Sequence, residues 1–490
     1  MIAPDRVPQT QGGFGPERPA RWLTPRRAVI IVAAASAAVH ILASGSMPLI
    51  VPPDGQEYSM YAFQMLDGGP NWHSPNRTPG YPAMLAVAFA LIGRSAIAIL
   101  ALNHLLAWLT CVMVAIGSVR VAGARWGLLA SLSFAIEPWS LAYSSFACTE
   151  TPTIFVTTAA GVALLCWRPD RIRSSIGMAV LLVAVCMMRP ALQAMVPFLA
   201  LAWVLRIPGP IKRRAAIVAA LIALFVALSL PWLVFNARHG VRGFARGSNS
   251  AIWYGAGFYD MLDPAYPMNE ATRKAFDKYL AGRPPDDDSL CRVMYDTHSL
   301  EDAAQDKHLG DWAKSSIRKR PVTYAFSCFY TLLWQLNCGI YDKPPMYDEF
   351  PFFARRPFQP RTKSFAPNFQ GAGRFPGWEG FVMNSGGGGV LAPYMLWWGQ
   401  NHVRGMPQVP LAIAALAGVI VAIRRRRWEL ASFGLATFAL VGAHCVLLMP
   451  VTRYSMPSTT LWYISAAWVL SVGVPHLRTI VRGGGSSTQQ

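Results

Sequence analysis

Acidic and basic side chains stand at the ends of several long apolar segments of this sequence. Asp54 and Glu57 follow the first apolar segment, in "PPDGQEYSMYAF", and Glu150 opens a later one, in "CTETPTIF". A carboxylate can accept a proton from a hydroxyl or an amine as that group attacks an electrophile. Arg77 and Arg189 stand at comparable places, and a guanidinium binds a phosphate through two parallel hydrogen bonds. These residue types favour group transfer from a phosphate-bearing donor.

Further ionisable residues occupy similar positions beside the apolar segments. They are Glu137, Arg238, Arg246 and Arg453. Ionisable side chains at a membrane are costly and often mark a functional cavity. Each also has a structural interpretation, since an arginine can reach up to lipid headgroups. Asp54, which follows two prolines, could likewise cap the helix that "QEYSMYAFQML" begins.

The composition predicts what kind of protein positions these residues. Of the 490 residues, 53% are hydrophobic and 14% are charged, whereas soluble proteins carry about 25% charged residues. Apolar segments near the length of a membrane span recur along the chain, which predicts an all-α polytopic membrane protein. The formal net charge is +19, but the arginines form short clusters between apolar segments. Such clusters anchor helix ends on the cytosolic side, so nucleic acid is not expected as a partner.

Ten apolar segments are predicted to span the membrane. Their ranges are 28–46, 96–119, 126–138, 151–167, 175–188, 190–206, 214–234, 408–423, 428–449 and 456–474. If these spans alternate in direction, the clusters of Arg and Lys all fall on one side, which the positive-inside rule assigns to the cytosol. The opposite, outer side then carries two large segments, the predicted catalytic loop 47–95 and a second loop, 235–321.

Three further segments need separate treatment. Segment 79–93 is short and would invert the later topology if it spanned, so it is predicted to be an interfacial or re-entrant outer helix. Segment 322–340 is either another outer-face helix or a span, with 390–402 crossing back. A polar, aromatic loop, 338–392, follows it. Within "SLEDAAQDKHLGDWAKSSIRKR", 299–320, apolar residues recur at helical spacing, which predicts an amphipathic surface helix.

The ends of the chain and its cysteines are less informative. Residues 1–27 are predicted to be a disordered cytosolic tail and residues 475–490 a second cytosolic tail, on either side of one membrane domain, 28–474. The eight cysteines form no C-x-x-C pair and lie mostly in apolar runs, which is typical of core residues rather than of a zinc or disulfide framework. Cys291 and Cys338 could form a bridge if both face an oxidising compartment.

Five motifs, in order, resemble those of the GT-C superfamily of integral-membrane glycosyltransferases, in particular the bacterial relatives of protein O-mannosyltransferases and lipid A aminoarabinose transferases. They are "PPDGQEYSMYAFQMLDGG…RTPGYPAMLAV", "CTETPTIFVTTAAGVALL", "MMRPALQAMVPFLAL", "LPWLVFNARHGVRGF" and "RYSMPSTTLWYISAAWVL". The resemblance extends through most of the chain. It departs at Phe235, which precedes Asn236 where relatives usually carry Arg; either Arg238 substitutes for it or that phosphate contact is absent.

The resemblance implies a GT-C-like bundle of about 10–12 transmembrane helices with juxtamembrane helices and loops on the outer face. It also implies transfer of a sugar, with inversion at the anomeric carbon, from a polyprenyl-phosphate donor to a lipid, polysaccharide or protein acceptor of the cell envelope. Asp54 would activate the acceptor, and Glu150 matches the second acidic position of the superfamily. The candidate substrate-binding residues are Glu57, Tyr58, Arg77, Arg189, Asn236, Arg238, Arg453 and Tyr454.

Several points stay open at this stage. Some members of the superfamily use a divalent metal beside the aspartate; His73 and Glu150 could add ligands near Asp54, but no metal-ligand spacing is recognisable. The expected location is the bacterial inner membrane, with the site facing the periplasm or exterior, in contact with membrane lipids. The first alternative is a transporter or flippase of lipid-linked sugar, although the sequence shows no halves of similar pattern, which are typical of transporters. The second is a non-catalytic homologue. The outer loops 235–321 and 338–392 are expected to select the acceptor.

Overall fold

The computed structural model describes most of the chain as helices. The described residues are 23–46, 49, 53–69, 77–241, 243–280, 287–299, 302–337, 408–447 and 456–483. The helices before the second large outer segment are α1 (Pro25–Ser46), α2 (Pro53–Asp67), α3 (Gly80–Ile92), α4 (Ala96–Ala135), α5 (Pro138–Ser144), α6 (Glu150–Cys166), α7 (Ile172–Met188), α8 (Val196–Leu205) and α9 (Ile211–Arg238). A 3-10 segment, Pro190–Met195, joins α7 to α8.

The remaining helices begin with that outer segment. They are α10 (Ser248–Phe258), α11 (Glu270–Leu280), α12 (Asp287–Asp296), α13 (Ala303–Lys319), α14 (Pro321–Asn337), α15 (Gln408–Arg424), α16 (Trp428–Val446) and α17 (Met456–Gly483). Among the described helices, α1, α4, α9 and α16 are long and apolar enough to cross a membrane, and shorter apolar helices accompany them. The predicted all-α polytopic membrane fold is confirmed.

Helix α4 is two helices joined by a sharp turn. Gly123 has φ 80° and ψ 173°, a conformation that glycine adopts without steric cost. The second arm folds back so closely that a Cβ on Gly127 would lie 2.6 Å from the backbone nitrogen of Val119. The two spans predicted for this region are therefore the arms of a hairpin, with Arg120 and Arg125 on either side of its turn.

Other boundaries differ by a few residues from the predicted ones. The amphipathic surface helix predicted within 299–320 is α13, and the apolar segment predicted to begin at 322 is α14. The last helix continues to Gly483, so the segment from 475 to 483 is helical rather than part of an irregular tail. The predicted disorder of the N-terminal tail up to residue 22, and the polar, aromatic loop 338–392, lie outside the described residues.

The main core lies where α4, α6, α7, α8 and α16 meet α17. Leu164, Met178, Leu182, Trp203 and Leu461 are among its fully buried side chains. Helix α1 makes polar contacts with α4. The Nδ1 atom of His40, on α1, lies 3.2 Å from the Nδ1 atom of His104, on α4. By contrast, only 17% of the most apolar stretch of α9 is buried in the protein, as expected of a helix that faces lipid.

Helices α10 to α13 form a lobe with a core of its own; it falls in the segment predicted to be the second outer loop and is called the outer lobe below. Trp253 and Trp312 are fully buried there, with ring centres 5.9 Å apart. Asp306 ties α13 to the start of α10, because its carboxylate accepts hydrogen bonds from the backbone nitrogen and hydroxyl of Ser250 at 2.9 and 2.6 Å, and from the Asn249 amide at 2.9 Å.

Candidate active site

The first turn of α2 presents two carboxylates to one arginine. Asp54 and Glu57 are three positions apart and therefore share a face of the helix. The Arg77 guanidinium donates to Asp54 Oδ1 at 2.7 Å and, through Nε, to Glu57 Oε2 at 2.9 Å. Burial opposes the charge of Arg77, but Tyr58, Asp54 and Glu57 raise its pKa above the ordinary value. Asp54 lies inside the first turn, so it does not precede the helix as an N-cap residue does.

Tyr58 packs beneath this acid–arginine group. Its ring lies 5.3 Å from the Arg77 guanidinium carbon and 5.4 Å from the ring of Tyr81, which it meets edge to face. The Tyr58 hydroxyl accepts a 3.4 Å contact from Arg77 Nη1. Burial raises the pKa of Tyr58 to about 12, so the hydroxyl stays protonated at neutral pH.

A second acid–arginine pair joins Glu150, at the start of α6, to Arg189, between α7 and the 3-10 segment. Arg189 Nη2 donates to Glu150 Oε1 at 3.0 Å, and the Glu150 side chain is fully buried. Because Pro190 follows, Arg189 is forced out of the helical conformation, and it has φ −156° and ψ 126°. The Arg-Pro sequence thus ends α7 at the level of Glu150.

Two glycines allow the two pairs to approach each other. A Cβ on Gly55 would lie 2.1 Å from the carbonyl oxygen of Ala147, three residues before Glu150. A Cβ on Gly80 would lie 2.4 Å from the carbonyl oxygen of Met187, two residues before Arg189. Only glycine fits such backbone contacts. As a result, the charges of Asp54, Arg77, Glu150 and Arg189 all act on the Tyr58 hydroxyl.

The structure assigns other contacts to some predicted site residues. The Asn236 side-chain amide donates to the carbonyl oxygen of Gly243 at 2.8 Å, so it holds the loop after α9. Arg238 is exposed in the last turn of α9. Glu137 accepts from the backbone nitrogen of Ser140 at 2.6 Å, which is a helix-capping contact for α5.

Three residues that sequence reasoning associated with the site lie outside the described residues. They are His73, Arg453 and Tyr454. The suggested bridge between Cys291 and Cys338 has no described geometry either, because Cys338 is not among the described residues.

Sequence reasoning missed Tyr295, on α12, whose hydroxyl is affected by the charge of Asp54. Its side chain is 60% exposed. Partial burial raises its pKa, and the negative charge of Asp54 raises it further. Tyr295 lies over two hundred positions from Asp54 in an acidic and polar segment, where no motif distinguishes it.

The described side chains do not fit a divalent-metal site. Within the part of the chain that the structure describes, no three His, Cys, Asp or Glu side chains form a group suited to a metal ion. Asp54 and Glu57, near which a metal was considered, both bind the Arg77 guanidinium instead. A cation of the protein itself therefore occupies the space between the two carboxylates.

The chain resembles several solved membrane-protein structures. The Archaeoglobus fulgidus oligosaccharyltransferase in complex with Zn and sulfate aligns with a TM-score of 0.46 over 93% of this chain and 50% of its own. The same organism's oligosaccharyltransferase AglB, in complex with an inhibitory peptide and a dolichol-phosphate, aligns with 0.44 over 95% and 52%. ArnT from Cupriavidus metallidurans in the apo state aligns with 0.35 over 91% and 78%. The sequence identity is 13% in each case.

Two of these three structures are oligosaccharyltransferases. The chain spans about half the length of the oligosaccharyltransferase. No protein-family model and no curated protein matches the sequence. At 13% identity and TM-scores of 0.35 to 0.46, the similarity assigns neither an activity nor a residue role to this chain.

The site is accessible at Asp54 and Glu57 and closed at Glu150. Asp54 and Glu57 are 28% and 30% exposed, whereas Glu150 is inaccessible. Only the first two can meet a bound molecule directly. Since Arg77 binds both of them and Arg189 is held by Glu150, the arrangement combines groups that can accept a proton with groups that can bind an anion.

Proposed function

We propose that the chain is a glycosyltransferase that moves a sugar from a polyprenyl-phosphate donor to an acceptor at the outer face of the bacterial inner membrane. The observation that carries the proposal is the presence of two acid–arginine pairs, Asp54–Arg77 and Glu150–Arg189, on segments whose backbones approach closely at Gly55 and Gly80. The five motifs in matching order support it. The acceptor class is a lipid, a polysaccharide or a protein of the envelope.

In the proposed reaction, the Asp54 carboxylate accepts the proton of an acceptor hydroxyl or amine. The freed electron pair forms a bond to the anomeric carbon of the sugar. The bond between that carbon and the phosphate oxygen breaks, its electron pair leaves with the polyprenyl phosphate, and the configuration at the anomeric carbon is inverted. Glu57, which is equally exposed, is the second candidate for the base.

The arginines would bind the phosphate and compensate the charge that develops on it. A fixed guanidinium in a site of low water content stabilises a leaving phosphate more than a solvated guanidinium does. Arg189 is 16% exposed and held by a buried carboxylate, so it is already oriented before the donor binds. In this proposal Glu150, predicted to be catalytic, is a positioning residue that acts through Arg189.

The proposal is tested by complementation of a gene deletion. The envelope glycans, glycolipids and glycoproteins of the deletion strain are compared by mass spectrometry with those of strains that express the wild type or Asp54→Asn. We expect one glycan-bearing product to be missing without the gene. Asp54→Asn should accumulate to normal levels but lower the rate of product formation about 10²–10⁴-fold.

A matched control lies on the same helix. Asp67 ends α2, is exposed and pairs with Arg94, so Asp67→Asn removes one carboxylate without touching the proposed site and should restore the product fully. Full restoration by Asp54→Asn would exclude Asp54 as the base and leave Glu57. An unchanged set of envelope glycans after gene deletion would exclude glycosyl transfer to the envelope.

A further inference from the structure

Tyr61 lies one turn beyond Glu57 on α2 and is bonded to it. Residues four positions apart on a helix are neighbours, and the Tyr61 hydroxyl donates to Glu57 Oε1 at 2.9 Å. The other oxygen of the same carboxylate, Oε2, accepts a hydrogen bond from Arg77 Nε, also at 2.9 Å. Each oxygen of Glu57 is therefore held by a different donor, which fixes the rotation of the carboxylate.

Arg77 depends on such contacts because its backbone segment is not helical. It lies in the short segment before α3, and a long side chain loses rotamer freedom only where partners hold it. Glu57 binds one edge of the guanidinium, and the Tyr58 ring lies 5.3 Å from the guanidinium carbon, within the range of a cation–π contact. These two contacts restrict the plane of the guanidinium.

Asp54 lies at the end of this series of contacts. The guanidinium is a rigid planar fork, so fixing Nε also fixes Nη2, which donates to Asp54 Oδ1 at 2.7 Å. Asp54, Glu57 and Arg77 are 28%, 30% and 26% exposed, and water competes with ion pairs at such exposure. The hydroxyl of Tyr61 adds order to the series without adding charge to it.

We propose that Tyr61 is a positioning residue that orients Asp54 through Glu57 and Arg77. The inference rests on the proposed function, in which Asp54 takes the proton of the acceptor. Misplacing a reacting group by about 1 Å can lower a rate about 10²-fold, so a residue that does not touch the substrate can still affect the reaction. Without the hydroxyl, the Glu57 carboxylate keeps its bond to Arg77 but loses the donor that fixes its rotation.

The bond from Tyr61 to Glu57 also has a purely structural interpretation, since side-chain pairs at this spacing stabilise helices. The two roles predict different results. A structural role predicts less folded protein, with an unchanged rate of product formation per folded molecule. The positioning role predicts a lower rate in protein that folds normally, and an effect that depends on Glu57.

The test is a double-mutant cycle on the full chain: the wild type, Tyr61→Phe, Glu57→Ala and the double variant. Each is expressed in the gene-deletion strain, and the initial rate at which the missing envelope product forms is measured by mass spectrometry. Tyr61→Phe removes one oxygen and keeps the ring. We expect normal accumulation and a rate about three- to tenfold lower, less than for a buried bond to a charged group because the site is partly exposed. In the Glu57→Ala background, Tyr61→Phe should have almost no effect, because the hydroxyl has lost its acceptor.

Tyr324→Phe is the matched control. The Tyr324 hydroxyl, on α14, donates to the carbonyl oxygen of Val446 at 2.7 Å, so this variant removes an equivalent group outside the series from Tyr61 to Asp54. It should keep the wild-type rate. A wild-type rate for Tyr61→Phe, or an equal loss in both Glu57 backgrounds, would overturn the proposal.

The same four proteins are also compared by their free energy of unfolding in detergent, which needs no substrate. We expect Tyr61→Phe to act through Glu57 there as well. If that coupling is present but gene deletion removes no envelope product, the contact is supported and the proposed function fails. If the product forms and Tyr61→Phe makes it at the wild-type rate, the positioning role fails and the proposed function does not.

Discussion

Arg77 is shared by Asp54 and Glu57, at 2.7 and 2.9 Å from their carboxylate oxygens. A single guanidinium thereby holds two like charges one helical turn apart, which would otherwise repel each other. Arg77 comes from the segment just before α3, so this contact also joins α2 to α3. The arrangement makes the position of Asp54 depend on Arg77.

We expect Arg77→Ala to lower product formation about ten- to a hundredfold, because a charge-assisted contact of roughly 1.5–3 kcal/mol is lost. Product formation per unit of protein is the measurement. Arg94→Ala is the matched control, since Arg94 binds Asp67 at the opposite end of α2 and is exposed. Equal activities of the two variants would contradict a role of Arg77 in the site.

The buried pair Glu150–Arg189 should show strong energetic coupling. Removing one partner leaves a charge in a poorly solvated place, which typically costs about 3–5 kcal/mol of unfolding free energy. We expect Glu150→Gln and Arg189→Met each to be strongly destabilising and the double variant to lose much less than their sum. Unfolding curves in detergent give all three values. Strict additivity would show that the two side chains do not depend on each other.

The close backbone approach at Gly55 and Gly80 can be tested by adding one methyl group. Gly55→Ala and Gly80→Ala should each lower the free energy of unfolding by about 1–3 kcal/mol, because the added Cβ displaces the backbone at Ala147 or Met187. Gly45→Ala, which meets nothing within 4 Å, is the control and should be neutral or stabilising. Thermal unfolding midpoints that coincide for all three variants would contradict the described packing.

Tyr58 should make stability fall at high pH. Its pKa is about 12 in the folded protein and 10.0 ordinarily, so the folded state binds the proton more tightly. The resulting stabilisation is fully present below pH 10 and is lost as the pH rises through 12. At about 1.4 kcal/mol per pKa unit, it amounts to about 3 kcal/mol. Comparing the pH dependence of the unfolding free energy in the wild type and in Tyr58→Phe isolates the contribution of Tyr58. Parallel curves for the two proteins would refute that contribution.

Asn236 should act on the loop that follows α9 rather than on the donor. We expect Asn236→Ala to increase hydrogen exchange in residues 241–244, because the bond from its amide to Gly243 is lost. Trp232, which donates to the Phe244 carbonyl oxygen at 2.7 Å, still holds the far end of the loop. Unchanged exchange with a weaker dependence on lipid donor would instead support the role in substrate binding suggested by the sequence.

Much of the helical architecture follows from the sequence. Apolar segments bounded by arginines predicted the membrane helices, and the cluster at Arg120 and Arg125 predicted the turn between the two arms of α4. The short segment before residue 93 was correctly expected to be a short helix, α3. Such features are local: they depend on composition and on the cost of placing charges in lipid.

The contacts of the site were less predictable. The sequence indicated that Arg77 and Asp54 belong together, but not that Glu57 shares the same guanidinium. The requirement for Gly55 arises from the backbone at Ala147, over ninety positions away, and leaves no local pattern. Tyr295, over two hundred positions from Asp54, is coupled to it through tertiary structure alone. Long-range packing, which no periodicity encodes, decides these relationships.

The contact between His40 and His104 also affects how the protein is made. The two imidazoles are 64 positions apart, and a ribosome adds about 5–20 residues per second. For about 3–13 s after His40 is synthesised, its polar ring therefore has no imidazole partner in the growing chain. Release of α1 into lipid during that interval would be energetically unfavourable. The first helix is thus expected to stay at the insertion channel until α4 emerges, and the two should enter the bilayer together.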